Sequence, residues 1–165
     1  MPVPVQNLED VIIEESELIY DGEFNEVDEE RFFEQQAKKR QLGKLAQEIA
    51  LQSERKRLAE AGHPNPNVVV PVWKEWKRGY DIFSGEIEGK ARHIEVKSAR
   101  KSGKQLSFFL STHEWKISRK LPNYYFYLVL NASTSKPRVL TIKASQLREQ
   151  HLKPVAFLAA FAGSF

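Results

Sequence analysis

Asp81 in "GYDIF" and the pair Glu95 and Lys97 in "HIEVKS" are residue types that can do chemistry together. Side chains alternate along a strand, so Ile94 and Val96 share one face and Glu95 and Lys97 the other. In the earlier segment Tyr80 and Ile82 share a face and Asp81 takes the opposite one. If the two segments pair through a turn near Glu88–Gly89, Asp81 and Glu95 meet on one face near the same end. Two carboxylates that close raise each other's pKa, and a divalent cation removes the penalty. Asp and Glu oxygens with open water positions suit Mg2+ or Mn2+. Lys97 projects to the same face, where an ammonium steadies an attacking water or the charge developing on a phosphate. The plain alternatives are a turn acid beside Gly79 and a solvated edge strand. A cross-strand ion pair of that kind is worth at most about 1 kcal/mol.

The elements that must position these residues are legible in outline. "RFFEQQAKKRQLGKLAQEIALQSERKRLAEA", residues 31–61, carries apolar residues at helical spacing and predicts one long helix with an interruption near Gly43. Gly62 and "HPNPN" stop it. "VVVPVW" predicts a strand, with Pro71 marking an edge or a bulge. "GYDIFSGEIEGKARHIEVKSA" predicts two strands around a turn. "KSGK" reads as a loop and "QLSFFL" as a short strand. Ser111 followed three residues later by Glu114 is a capping box opening a helix over "STHEWKISRKL". That cap explains Glu114, which stays a minor site candidate. "YYFYLVLNA" predicts a central strand, "PRVLTIKAS" another, and Gln146–Gln150 a short helix. The apolar C-terminus "PVAFLAAFAGSF" is expected to pack back on the body. The order predicts a mixed α/β domain with a central sheet.

The 165 residues suffice for one domain with a sizeable core. No apolar run approaches the roughly 20 residues of a membrane helix, and no secretory signal is visible at the N-terminus. With no cysteine, disulfides, thiol catalysis and thiolate metal sites are excluded, which fits a reducing compartment, cytoplasmic or nuclear. The net charge of +3 conceals an asymmetry. Residues 1–30 hold eleven acids and no Lys or Arg, leaving 25 basic and 11 acidic residues after them, a balance of +14. The first 30 residues read as an acidic, disordered arm, with "VIIEESELIY" able to order on a partner surface. The basic body, 31–165, points to a polyanionic partner, with nucleic acid ahead of simple solubility.

The full order of helix, "GYDI", "IEVKS", "STHEW" and the aromatic strand "YYFYLVLN" resembles the domain at the C-terminus of the plant protein NO VEIN, over roughly residues 40–145. That family is placed in the PD-(D/E)XK, restriction-endonuclease-like superfamily. The resemblance implies a mixed central sheet flanked by helices and a metal-dependent nuclease cutting DNA in a defence or repair setting, with a helicase or ATPase as partner. It implies Asp81 and Glu95 as metal ligands and Lys97 as the catalytic lysine. Where the family's leading helix supplies an acid, this chain has Gln47 with Glu48 next, so either Glu48 substitutes as a metal ligand or the site is weakened. Gln105 is expected to line the cleft.

Other candidates are weaker. Arg100, Lys101 and Lys104 of "SARKSGK" are the best phosphate contacts, with an ordinary solvated loop as the alternative. Lys77 and Arg78 of "WKEWKRG" are expected to form the opposite wall. His93 and His113 lack zinc-ligand spacing. Trp73, Trp76 and Trp115 read as core or semi-buried anchors, and one of the three, which the sequence does not single out, can stack on a base. The acidic arm can mask the basic cleft, or serve as a linker or docking segment. Two further functional readings stand beside the nuclease: a nuclease-like module that grips DNA or RNA without cutting it, favoured by Gln47, and a protein-interaction module.

Overall fold

The computed structural model describes residues 5–7, 26–156, 158–160 and 162–164. The segment "VIIEESELIY" lies outside the described residues.

A six-stranded mixed sheet forms the centre, in the order β1-β8-β7-β4-β3-β2. Its strands are β1 (Val5–Asn7), β2 (Val70–Pro71), β3 (Ile82–Gly85), β4 (Ala91–Ser98), β7 (Tyr124–Leu130) and β8 (Arg138–Lys143). A separate hairpin joins β5 (Arg100–Ser102) to β6 (Gln105–Ser107). β4 and β7 run parallel, so the chain between them must cross over; the hairpin and helix α2 (Thr112–Lys120) make that crossover.

Every residue of β7 is buried, as expected of an apolar strand in the sheet interior. Its alternating residues feed two cores. Tyr125, Tyr127 and Val129 join Ile82, Ile94 and Val96 beneath helix α1 (Glu26–Glu60). Tyr124, Phe126, Leu128 and Leu130 join the side on which Trp115 and Ile117 of α2 pack.

Helix α1 meets the sheet through Ala46, Ala50, Glu54 and Leu58, one residue per turn along a single stripe. The two alanines let the helix backbone approach closely. Glu54 is 0% exposed. Its carboxylate accepts from Arg57 Nε at 2.9 Å and Nη2 at 2.7 Å, from Ser84 Oγ at 2.7 Å and from the Tyr127 hydroxyl. Arg92 donates to the Tyr127 hydroxyl at 3.0 Å and to Glu86 at 2.5 Å. This network ties α1 to β3, β4 and β7, and the buried carboxylate is tolerated because it is fully bonded.

Several elements differ from expectation. Helix α1 starts at Glu26 and passes Gly43 without a break. A Cβ at Gly43 would meet nothing within 4 Å, so this is an open helix position where one glycine costs about 1 kcal/mol and no more. Glu26, Asp28, Glu29 and Glu30 therefore fall in the opening of a helix, at the end whose dipole favours negative charge. Val5–Asn7 pair in parallel with Val139–Thr141 and close the sheet, so this part of the expected disordered arm is a strand. The expected strand at 68–73 shrinks to Val70–Pro71 at the opposite edge, because Pro71 has no N–H for a ladder. "KSGK" is not merely a loop: it turns the β5–β6 hairpin, with Gly103 at φ 59°. The expected strand at 105–110 ends at Ser107. The short helix is two 3-10 turns, Ala144–Gln146 and Glu149–His151. Leu152 packs on the α2-side core, but the described residues 158–160 and 162–164 are exposed, Leu158 at 94%, and do not pack back on the body as expected; residues 157, 161 and 165 lie outside the described residues.

Candidate active site

The site lies where β3 and β4 part. The last ladder pair is Ile82 with Ile94, and the Asp81 N–H donates to the Ile94 carbonyl at 2.8 Å. Beyond it the Val96 N–H has no β3 backbone opposite. The Asp81 side chain fills that role, with Oδ2 accepting from Val96 N at 2.8 Å. Strand termination thus fixes a carboxylate against β4.

Glu95 and Lys97 project to one side of β4, and Lys97 Nζ lies 3.3 Å from Glu95 Oε1. From α2, Glu114 Oε2 accepts the same ammonium at 2.6 Å. That oxygen also accepts the Ser111 N–H at 2.9 Å, while Ser111 Oγ accepts the Glu114 N–H at 3.1 Å. The capping box and the site are one structure. Its seat on the sheet is set by Gly79, at φ 72°, where a Cβ would fall 2.6 Å from Ile117 Cγ1 of α2. Only glycine allows that approach.

The electrostatics are strongly coupled. Burial pushes the Glu95 carboxyl well above the ordinary glutamate range, the Asp81 charge adds to this, and Lys97 opposes it. Burial also raises the Asp81 carboxyl, against the Val96 N–H bond and the Lys97 charge. Burial disfavours the Lys97 ammonium, but Glu95 and Glu114 outweigh it and hold the lysine above its usual value. Burial likewise works against the Glu114 carboxylate, and Lys97 reverses the balance and holds it low. Glu114 and Lys97 therefore form the stable ion pair. Asp81 and Glu95 are the carboxylates that resist ionising together.

Two carboxylates with raised proton affinity are a donor set suited to a hard divalent cation, whose charge removes the cause of the shift. Among the described residues no group of three His, Cys, Asp or Glu side chains forms a ready cation cage. Mg2+ commonly takes one or two carboxylates and completes its shell with water and phosphate oxygens, so Asp81 and Glu95 fit it.

The other expected residues are distributed as follows. Gln47 of α1 reaches the site, its Nε2 donating to Asp81 Oδ1 at 3.3 Å. Glu48 does not reach it: successive helix side chains diverge by about 100°, and Glu48 is exposed. Gln105 is half-buried in the hairpin, paired with Ser102. Arg100, Lys101 and Lys104 are exposed on that hairpin, which follows directly on β4. The N-terminal half of α1 braces it. Arg31 donates to Ser107 Oγ at 3.3 Å, Gln35 to the Ser98 carbonyl at 3.3 Å, and Phe32 meets Phe109 edge-on at 5.3 Å. Lys77 and Arg78 are exposed on the 3-10 turn Trp76–Arg78, with Arg78 paired to Glu75 at 2.7 Å. His93 shares its Nδ1 with the Pro122 carbonyl at 2.8 Å, a structural position.

Glu114 is the site residue that sequence reasoning undervalued. Its capping role suffices to explain it locally, and no local signal places it against Lys97. Glu54 was not singled out, although an acid in the Ala46, Ala50, Leu58 stripe announces a buried partner.

The architecture and the cluster define the class: a mixed α/β domain, consistent with the restriction-endonuclease-like fold, with a carboxylate–lysine site where two strands diverge. The chain belongs to the NO VEIN C-terminal family, whose family model, described as "Protein NO VEIN, C-terminal", matches residues 46–142. The matched span includes Gln47, Asp81, Glu95, Lys97 and Glu114. No curated protein and no solved structure matches the chain. Among the described residues no helix is long and apolar enough to cross a membrane.

Proposed function

We propose that this domain is a metal-dependent nuclease of the PD-(D/E)XK type that hydrolyses phosphodiester bonds in DNA. The observation that carries this reading is the Lys97 ammonium, 3.3 Å from Glu95 and within the field of the Asp81 carboxylate that the Val96 N–H holds. A largely enclosed lysine held between Glu95 and Glu114, next to the Asp81 carboxylate, is costly to build for stability alone.

Asp81 and Glu95 would hold Mg2+ or Mn2+. When bound, the metal supplies Lewis-acid polarisation of the phosphoryl oxygen and a lowered pKa for a bound water. The chain's own residues do the rest. The Val96 N–H and the Gln47 amide hold Asp81 in place. Lys97, kept charged by Glu95 and Glu114, sits where negative charge accumulates on the phosphate and stabilises the pentacovalent transition state. Glu114 acts through Lys97 as a positioning residue. Arg100, Lys101 and Lys104, with Lys77 and Arg78, hold the backbone without reading sequence. The purified protein is expected to cut DNA with Mg2+ or Mn2+ and not with EDTA, and Lys97→Ala is expected to abolish cutting. Unchanged cleavage by Lys97→Ala would remove the assignment.

One observation favours a second reading, a module that grips nucleic acid without cutting it. Gln47 presents a neutral amide to Asp81. A glutamate there would add a third negative oxygen ligand, and its lack weakens metal affinity. Salt-sensitive binding with no cleavage under either metal would establish this alternative.

A further inference from the structure

We infer that Trp76 is a stacking platform for an unpaired nucleobase at the edge of the proposed active site; the inference rests on the nucleic-acid reading above. The chain has three tryptophans. Trp73 is packed against the α1-side core, and Trp115 against the α2-side core with the Arg119 guanidinium over its ring at 4.0 Å. Trp76 is 72% exposed. An indole left in water is unfavourable, and it becomes useful when a flat partner covers it.

Its location is set by the same contacts that build the site. The turn Trp76–Arg78 is closed by the Gly79 N–H donating to the Trp76 carbonyl at 3.2 Å, and Gly79 is seated against Ile117 of α2. Asp81 follows two residues after Gly79. His113 meets the Trp76 ring edge-on, with centroids 6.3 Å apart, and is adjacent to Glu114, the partner of Lys97. Lys77 Nζ lies 5.9 Å from the indole centroid. One exposed aromatic face, an imidazole edge and a cation thus border the carboxylate–lysine cluster.

The surroundings select the ligand. Its neighbours along the chain, Lys74, Glu75, Lys77 and Arg78, are all exposed and charged, unlike the apolar core of a protein hot spot. A ligand with a π-face and an anionic backbone matches an indole among lysines and an arginine. A base inside a duplex has both faces covered by its neighbours. The partner is therefore a single strand, or an unpaired or terminal base.

The test measures binding of the full chain to a labelled single-stranded oligothymidylate of about 12 nucleotides, in EDTA so that cleavage plays no part. Trp76→Ala is expected to weaken binding about tenfold and Trp76→Phe no more than about threefold, as stacking predicts. An abasic site scanned through the strand is expected to reproduce the loss at one position in the parent protein and to add nothing there in Trp76→Ala. Parent-like affinity of Trp76→Ala, abasic losses that simply add to it, or no binding of the strand by the parent overturns the platform. Trp76-dependent binding without metal-dependent cleavage removes the nuclease reading alone. Cleavage that requires Lys97, with binding indifferent to Trp76, removes the platform alone.

Discussion

The Glu114 carboxylate holds the Lys97 ammonium at 2.6 Å with the same oxygen that accepts the Ser111 N–H at 2.9 Å. A helix cap therefore orients a lysine of β4 and, together with Glu95, holds it charged. Glu114→Gln separates the two roles, because glutamine can still complete a capping box but brings no negative charge to the ammonium. Its Tm should stay near the parent value, while cleavage should fall roughly tenfold or more, a transition-state loss of about 1.4 kcal/mol. Glu114→Ala should show the same kinetic loss and in addition cost about 1 kcal/mol of stability from the cap. Thermal melts and single-turnover rates on the pair of variants make the comparison.

Glu95 makes a pH-dependent prediction. Its folded-state pKa is raised well above the ordinary 4.5, by burial first and Asp81 second. A carboxyl raised in the folded state contributes stability that is complete below its unfolded value and is lost as pH rises through the folded value. Glu95→Gln cannot ionise. Without metal, the Tm difference between Glu95→Gln and the parent should be small near pH 4.5 and should grow in favour of the variant as pH rises. Adding Mg2+ should stabilise the parent at neutral pH, with release of protons, and should not stabilise the variant. A Tm difference that is flat with pH would contradict the buried position of Glu95.

Gln47→Glu should act in the opposite direction. It sets a carboxylate beside Asp81 where an amide now donates at 3.3 Å. The metal-free variant should be less stable than the parent, and Mg2+ affinity should rise, by about tenfold if the added carboxylate joins the metal shell. Calorimetric titration with Mg2+ checks this, and a cleavage rate that rises with the affinity would show that Gln47 limits the native site.

Glu54→Ala tests the other buried carboxylate. Removing it leaves Arg57, Ser84 and Tyr127 without their shared acceptor in the interior. Loss of one partner of such a network costs about 3–5 kcal/mol, so urea unfolding should shift by that amount. Single-turnover cleavage by the fraction that remains folded should be unaffected, because Glu54 lies on the α1 side of the sheet and Glu114 and Lys97 meet on the α2 side.

Much of this was legible where the signal is local. The alternation of Ile94 and Val96 with Glu95 and Lys97, the capping box at Ser111 and the apolar run of β7 each follow from short-range periodicity and turn chemistry, and each holds in the structure. What was not legible depends on distant partners. Val5–Asn7 become a strand only because β8 offers an edge, and nothing within three residues announces that. Gly43 looks like a helix break until packing on both sides of it outweighs its propensity. Glu114 satisfied a local motif, which hid its contact with Lys97 across the fold. Glu48 was the wrong neighbour of Gln47 because one step along a helix turns a side chain away from the sheet.

The most direct test of the central claim is single-turnover cleavage of single- and double-stranded DNA by the full chain and by Lys97→Ala, with Mg2+, with Mn2+ and with EDTA. The account predicts metal-dependent cutting by the parent and none by the variant, with both proteins melting cooperatively. Cleavage that survives loss of Lys97, or that proceeds equally in EDTA, would contradict it.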